Sequence, residues 1–385
     1  MQGLSDPHDL RLLRRARRYA GFYLNEDPGA PNYDPKYRVF RSMFNGSRGP
    51  LLRRATALDW AGDPIEVKDR FRLGHGESSY EEMLAHFKDY NDIVCDHPQN
   101  LLITSLVMNT YLLTGETKCR HWILEYVDAW SERMKQNHGI IPTKIGLDGK
   151  IGGDDGKWYG GVYGWGFSVT VPQTGQLAHR NTHALALAGF GNAYLLTGDE
   201  CYLGPWRNMI DQINAQEKGI DGKMQYPHLC GDKGWYHFTP EKYAEGAESL
   251  WYWSMREADL QRLPMQGWVA FLQGKRPNYP DAALRADLAA IRKKIAAVRA
   301  DTTTPDTRLS DDSLPYNPAE VTNLVHLMLG GLHSGNKTLV LHSRVRYFDV
   351  DRRRAGLPED VAALVERLTA DTTELTLVNI DQLRP

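Results

Sequence analysis

The sequence predicts an all-α fold, an (α/α) toroid of helical hairpins over residues 1–334, followed by a small C-terminal strand-helix-strand extension over 335–385. Three observations carry this expectation: an internal repeat around the string YLLTG, an alternation of helices apolar on all sides with helices apolar on one, and a change of texture after residue 335. A chain of 385 residues buries a sizeable core without needing disulfides. Its formal charge of −2 excludes the strongly basic footprint of a nucleic-acid binder.

The elements follow in order. The basic run RLLRRARR at 11–18 reads as the solvated face of a helix. NLLITSLVMNTYLLTGETKCRHWILEYVDAW from Asn100 and THALALAGFGNAYLLTGDECYLGPWRNMIDQI from Thr182 share one plan: an apolar run, YLLTG, a short acidic turn and an amphipathic run. In each unit Leu101, Leu106 and Val107, or Leu185, Leu187 and Phe190, suit a helix buried on several sides. Trp122, Tyr126 and Trp130, like Trp206, Ile210 and Ile213, recur at helical spacing between charges, as in an outer layer. The Gly of YLLTG is placed to cap the first helix in the left-handed region.

AESLWYWSMREADLQRL reads as a further inner helix ended by Pro264, and DAALRADLAAIRKKIAAVRA as an outer one with Leu284, Leu288, Ile291 and Ile295 in register. In NPAEVTNLVHLMLGGL, Asn317 caps, Pro318 starts and Glu320 completes the N-terminus. Beyond 335, KTLVLHSRVRYF and ELTLVNI alternate as strands around a helix EDVAALVERL. This tail packs on the ring or opens a β domain truncated at residue 385.

No run approaches the roughly 20 apolar residues of a membrane span, and MQGLSDPHDL lacks the regions of a secretory leader, so a soluble chain without a membrane partner is expected, cytoplasmic or periplasmic. Cys95, Cys119, Cys201 and Cys230 form no CxxC pair or zinc spacing and read as reduced thiols. No cofactor or metal is expected.

In a ring of hairpins the inner-helix starts converge at one mouth. Those starts read Asp96-His97-Pro98-Gln99-Asn100, His179-Arg180-Asn181-Thr182-His183, then Glu245 and Glu248, then Tyr316-Asn317 and Glu320. Asp96 and Asn317 suit plain caps. Histidines at two corresponding starts, His97, His179 and His183, are candidates for acid-base work. His179 and His183 also have the spacing of a metal pair on one helix face, but Arg180 between them opposes a cation. Asn100 and Glu248 are candidate substrate contacts.

The stretch DGKWYGGVYGWGFS, residues 155–168, interleaves Trp158, Tyr159, Tyr163, Trp165 and Phe167 with glycines, beside Asp154, Asp155 and Lys157. Flat rings on glycine turns, with polar neighbours, suit the C–H faces and hydroxyl rims of sugars. A compact loop with its own aromatic mini-core is the ligand-free reading. GDKGWYHF, with Lys233, Trp235 and Tyr236, echoes its character.

Over roughly residues 80–335 this pattern resembles the carbohydrate-active toroids, which include six-hairpin glycosidases and polysaccharide lyases of the chondroitin, alginate and heparinase II type. RNTHALA is similar to the Asn-x-His helix start of the toroid lyases. The resemblance implies that Asn181 helps neutralise a uronate carboxylate and that His183 is the base at C5 or its partner. It also asks for an Arg, for which Arg180 is a candidate, and a Tyr, for which Tyr252, Tyr236 and Tyr163 are candidates; no motif selects among them. The implied activity is β-elimination next to a uronic acid in an oligo- or polysaccharide.

The chemistry explains the residue types: an enolate-like state needs donors or positive charge, and its base should titrate near working pH. One alternative is hydrolysis by a carboxylate pair about 5 Å apart or wider, for which Asp92, Asp96, Asp154, Asp155, Glu245 and Glu248 offer choices without a defining pair. Another is a non-catalytic glycan-binding toroid.

Overall fold

A computed structural model describes residues 9–27, 32–41, 95–153, 156–160, 183–302, 317–332 and 342–381, with the backbone alone of 167–170 and 177–180. The chain divides into two compact units, Leu10–Gly246 and a second made mainly of Ala247–Pro385.

In the first unit, helix α1 (Leu10–Tyr23) buries Ala16, Ala20 and Phe22 and leaves Arg14, Arg15, Arg17 and Arg18 exposed, the solvated face expected of the basic run. A short antiparallel pair, β1 (Tyr33–Asp34) and β2 (Val39–Phe40), brings Tyr33 and Phe40 edge-on to Trp122 and Tyr126. The sequence repeat becomes two helical hairpins, α2 (Ile103–Thr114) with α3 (Thr117–Gln136), and α4 (Leu187–Thr197) with α5 (Gly204–Asn214). Gly115 (φ 71°) and Gly198 (φ 70°) end the first helix of each in the left-handed region, donating their N–H groups to the Tyr111 and Tyr194 carbonyls.

The amphipathic helices bury the face that their spacing predicts: Trp122, Tyr126 and Trp130 on α3, and Trp206, Ile210 and Ile213 on α5. Helices α2 and α4 pack on each other. At their contact Asn192 donates to the hydroxyls of Thr104 (2.8 Å) and Ser105 (3.1 Å), so this buried amide is satisfied from the neighbouring helix.

Among the described residues the helices stand beside several antiparallel sheets, which corrects the all-α toroid to a mixed helix-and-sheet fold. Strands β3 (Phe167–Thr170) and β4 (Leu177–Arg180) pair antiparallel. Strands β5 (Lys218–Ile220), β6 (Lys223–Gly231) and β7 (Gly234–Thr239) form a three-stranded sheet in that order. The signal for the second sheet was present: Asp221 (φ 50°) and Gly222 (φ 74°) form the two-residue turn that Asp-Gly favours between strands.

In the second unit α6 (Ala247–Ser254) stops at Met255 (φ 53°), short of the expected Pro264, and α7 (Glu257–Leu260) follows. Next come α8 (Gly267–Leu272), α9 (Tyr279–Ala300) and α10 (Thr322–Leu329). Helix α9 forms as expected, but Leu284 and Leu288 are exposed and Ala283 is its buried residue, so it does not present the anticipated stripe to a core. Residues 317–321, expected as the first turn of α10, are not helical, and the Asn317 side chain accepts from Ala319 N–H instead.

Short strands β8 (Phe348–Asp349) and β9 (Arg354–Ala355) precede β10 (Val361–Leu368) and β11 (Thr373–Asn379). The segment EDVAALVERL, expected as a helix, is therefore a strand. Pairing with ELTLVN and burial of Val365 and Leu368 against Leu327, Trp268 and Trp251 override its helix propensity. Of KTLVLHSRVRYF, residues 337–341 lie outside the described residues, and over 342–348 only Phe348 belongs to a strand, so the long strand expected there is not seen in its described part.

Helix α4 touches the segment before α2 with no room to spare. A Cβ built on Gly189 lies 2.5 Å from Leu101 Cδ2 and 3.0 Å from Leu101 Cβ, and Leu101 is fully buried. Gly189→Ala is expected to destabilise the protein by about 1–3 kcal/mol through overpacking. Gly204→Ala, where a Cβ meets nothing within 4 Å, should stay within about 1 kcal/mol of the parent. Urea unfolding of the two variants checks the contrast.

Candidate functional site

The first unit brings two histidines to neighbouring turns. His97 precedes the 3-10 turn Pro98–Leu102, His183 opens the 3-10 turn His183–Ala186, and these two turns pack on each other. His97 is buried, with Nδ1 3.2 Å from the Thr143 carbonyl oxygen. A carbonyl only accepts, so this contact places the proton on Nδ1.

His183 Nε2 lies 2.7 Å from the Tyr243 hydroxyl, and both residues are buried. Burial pulls the His183 imidazole down to about 3 and pushes the Tyr243 phenol well above its usual range. At pH 7 the pair is two neutral groups joined by one hydrogen bond. Asn214, the last residue of α5, clamps Tyr243 by accepting from its N–H and donating to its carbonyl, each at 2.9 Å. Tyr243 has no sequence signal beyond a tyrosine in a polar stretch, and sequence reasoning missed it.

Behind His97, Asp96 is fully buried and accepts from Tyr126 (2.9 and 3.0 Å) and from the Asn100 amide (2.8 Å). Arg133 Nη1 stands 3.9 Å away. Burial pushes the Asp96 carboxyl up to about 6, against the opposing pull of Arg133 and of the hydrogen bonds from Asn100, Tyr126 and the Phe40 backbone. The Asp96 backbone exchanges both hydrogen bonds with Ile145. Asp96 therefore anchors the interior instead of capping the turn, and the buried Asn100 is one of its donors.

Thr143 ties this interior to the aromatic loop. Its N–H donates to the Trp158 carbonyl at 2.7 Å, its hydroxyl donates to the Gly160 carbonyl, and its own carbonyl holds His97. Trp158 in turn meets Trp235 of β7, with ring centroids 5.9 Å apart and planes at 50°. These two half-buried rings line a hollow of about 190 Å³ with Asn137, His138, Gln212 and Gln216.

The rim follows from local rules. Asn137 ends α3, His138 (φ 55°) takes the left-handed position, and Gly139 N–H returns to the Met134 carbonyl, which satisfies the helix end. Gln212 lies in the last turn of α5 and Gln216 in the turn that follows it, and both line the hollow. Beside the hollow, Lys157 Nζ (2.7 Å) and the Tyr159 hydroxyl (3.0 Å) both reach Asp232 at the tip between β6 and β7. The two aromatic stretches that echo each other in sequence thus meet in space.

Asn181, Tyr163, Trp165, Asp92, Asp154 and Asp155 lie outside the described residues. His179 and Arg180 are seen as backbone only, in β4 opposite Ser168 and Phe167. His179 sits in a strand and His183 in a turn, so the helix-face argument for a metal pair loses its basis.

Glu248 and Tyr252 belong to the second unit. Tyr252 is buried among its core residues, with its hydroxyl donating to the Gly330 carbonyl at 2.9 Å. Glu248 lies in the first turn of α6, and burial raises its carboxyl. Tyr236 pairs with Leu229 across β6 and β7.

The family described as a domain of unknown function (DUF8034) matches residues 1–226, more than half of the chain and most of the unit that holds these features, and the chain belongs to that family. No curated protein and no solved structure matches the chain. Among the described residues no helix is long and apolar enough to cross a membrane.

The buried His183 makes the stability of the first unit depend on pH. Its folded value, about 3, lies below its ordinary 6.5, so the unfolded chain takes up a proton that the fold refuses as pH falls from about 6.5 to 3. Stability from His183 is present above 6.5 and lost on acidification. Asp96, raised from 3.8 to about 6, has the opposite slope between those two values and partly masks this loss. His183→Gln keeps a hydrogen-bonding side chain but cannot titrate. Its melting temperature relative to the parent is expected to rise as pH goes from 7 to 4.5; a difference independent of pH would mean that His183 is solvated in the fold, and a fall would mean that it is held charged.

Proposed function

We propose that this chain is a carbohydrate-active enzyme that takes an oligo- or polysaccharide against the Trp158–Trp235 groove and cleaves it next to a uronic acid by β-elimination. The observation that carries the carbohydrate reading is the meeting of Trp158 and Trp235, from distant segments, over a hollow edged by amides. Half-exposed indoles offer apolar faces to sugar C–H groups, and the glutamine side chains both donate to and accept from hydroxyls.

The neutral His183–Tyr243 pair favours the elimination step. In that step a base takes the proton at C5, the C5–H electrons form the C4–C5 double bond, and the bond to the O4 leaving group breaks as that oxygen gains a proton. A neutral imidazole is the proton-accepting form, and an anionic uronate beside it raises its proton affinity. The near-complete burial of His183 and Tyr243 supports a second reading, glycan binding without turnover.

Incubation with uronate-containing glycans is expected to yield the ultraviolet absorbance of a conjugated, unsaturated uronate. His183→Ala and Tyr243→Phe should abolish that signal and leave glycan affinity within about twofold; binding without product selects the second reading. Trp235→Ala is expected to weaken binding by about 1–3 kcal/mol, the worth of ring stacking in other ligand complexes, as read by calorimetric titration.

A further inference from the structure

We propose that the Trp158–Trp235 groove is a subsite for an uncharged sugar ring, and that it discriminates against a uronate. This rests on the carbohydrate reading above and adds the charge class of the unit that the groove accepts.

Among the described residues the lining carries no side chain with a permanent charge: it presents two indoles, Ile140, His138 and the amides of Asn137, Gln212 and Gln216. Asn137 is buried and donates to the Ile140 carbonyl, which leaves the exposed Gln212 and Gln216 as the adaptable polar groups. An amide offers both a donor and an acceptor, as a sugar hydroxyl does; a carboxylate only accepts and meets the amide oxygens unfavourably.

The helices point the same way. Both α3 and α5 direct their C-terminal ends to this hollow, through Asn137 and His138 from one and Gln212 and Gln216 from the other. A helix C-terminus carries the negative end of the backbone dipole and disfavours an anion. Helix α3 has Arg133 and Lys135 in its last turn, but α5 has no basic residue there.

The cation next to Trp158 in the chain is paired with a carboxylate. Lys157 Nζ lies 2.7 Å from Asp232, which also accepts the Tyr159 hydroxyl, so an incoming carboxylate meets a carboxylate beside the ammonium. The hollow, about 190 Å³, is smaller than the roughly 300 Å³ at which drug-sized pockets begin, and suits a single ring.

The test is calorimetric titration of the full chain with neutral hexose oligosaccharides and with all-uronate oligosaccharides of the same length. The neutral series is expected to bind at least tenfold tighter, and Trp235→Ala to remove most of that affinity. Asp232→Asn, which removes the carboxylate that an incoming uronate would meet beside Lys157, should raise affinity for the all-uronate series about fivefold and leave the neutral series within twofold. Equal or tighter binding of the all-uronate series by the parent overturns the inference and leaves the carbohydrate reading standing. Neutral binding that survives Trp235→Ala overturns the assignment to this groove. Absence of binding to either series overturns the carbohydrate reading itself, and the inference with it.

Discussion

With no side chain at Gly189, Leu101 lies against helix α4, and the arrangement of the first unit depends on that contact. It lets the first helices of the two repeats pack closely, so the turns that precede them lie together. Those turns carry His97 and His183. A methyl group at this one position would have to displace a fully buried leucine in an interior packed as tightly as a crystal.

From that contact a chain of polar connections reaches the surface. Asp96 holds Asn100 and Tyr126 in the interior, its backbone holds Ile145, and Thr143 nearby takes His97 on one side and the Trp158 and Gly160 carbonyls on the other. A glycine-rich loop has little preference of its own, because its backbone loses more entropy on ordering than any other. Its described part is held by these bonds to Thr143 and by the reach of Lys157 and Tyr159 to Asp232. The indole of Trp158 is thus placed by backbone bonds from the core and by a hairpin that supplies its partner, Trp235.

The electrostatics of the two features differ, and the difference bears on their roles. The His183–Tyr243 pair is buried and neutral, so it is poised to respond to a charge brought beside it. The groove is half-open, edged by amides and helix C-termini, with its nearby cation and anion paired. A ligand that stacks in such a groove is recognised by shape and hydroxyls. One that engages the pair is recognised by charge.

Periodicity was enough to identify both helical hairpins, their YLLTG caps and their buried tryptophans, because those features depend on residues three to five positions apart. The same local rules misread EDVAALVERL, whose helix-forming residues are drawn into a strand by ELTLVN and by the pocket that receives Val365 and Leu368. They also extended two hairpins into a ring, since nothing local reports whether a third hairpin or a sheet follows. His97, His183 and Trp158 were legible as unusual residues in unusual places. Their partners Thr143, Tyr243 and Trp235 were decided by tertiary structure alone, because each lies tens of residues away in the chain and is brought near only when the helices pack and the β6–β7 hairpin folds back.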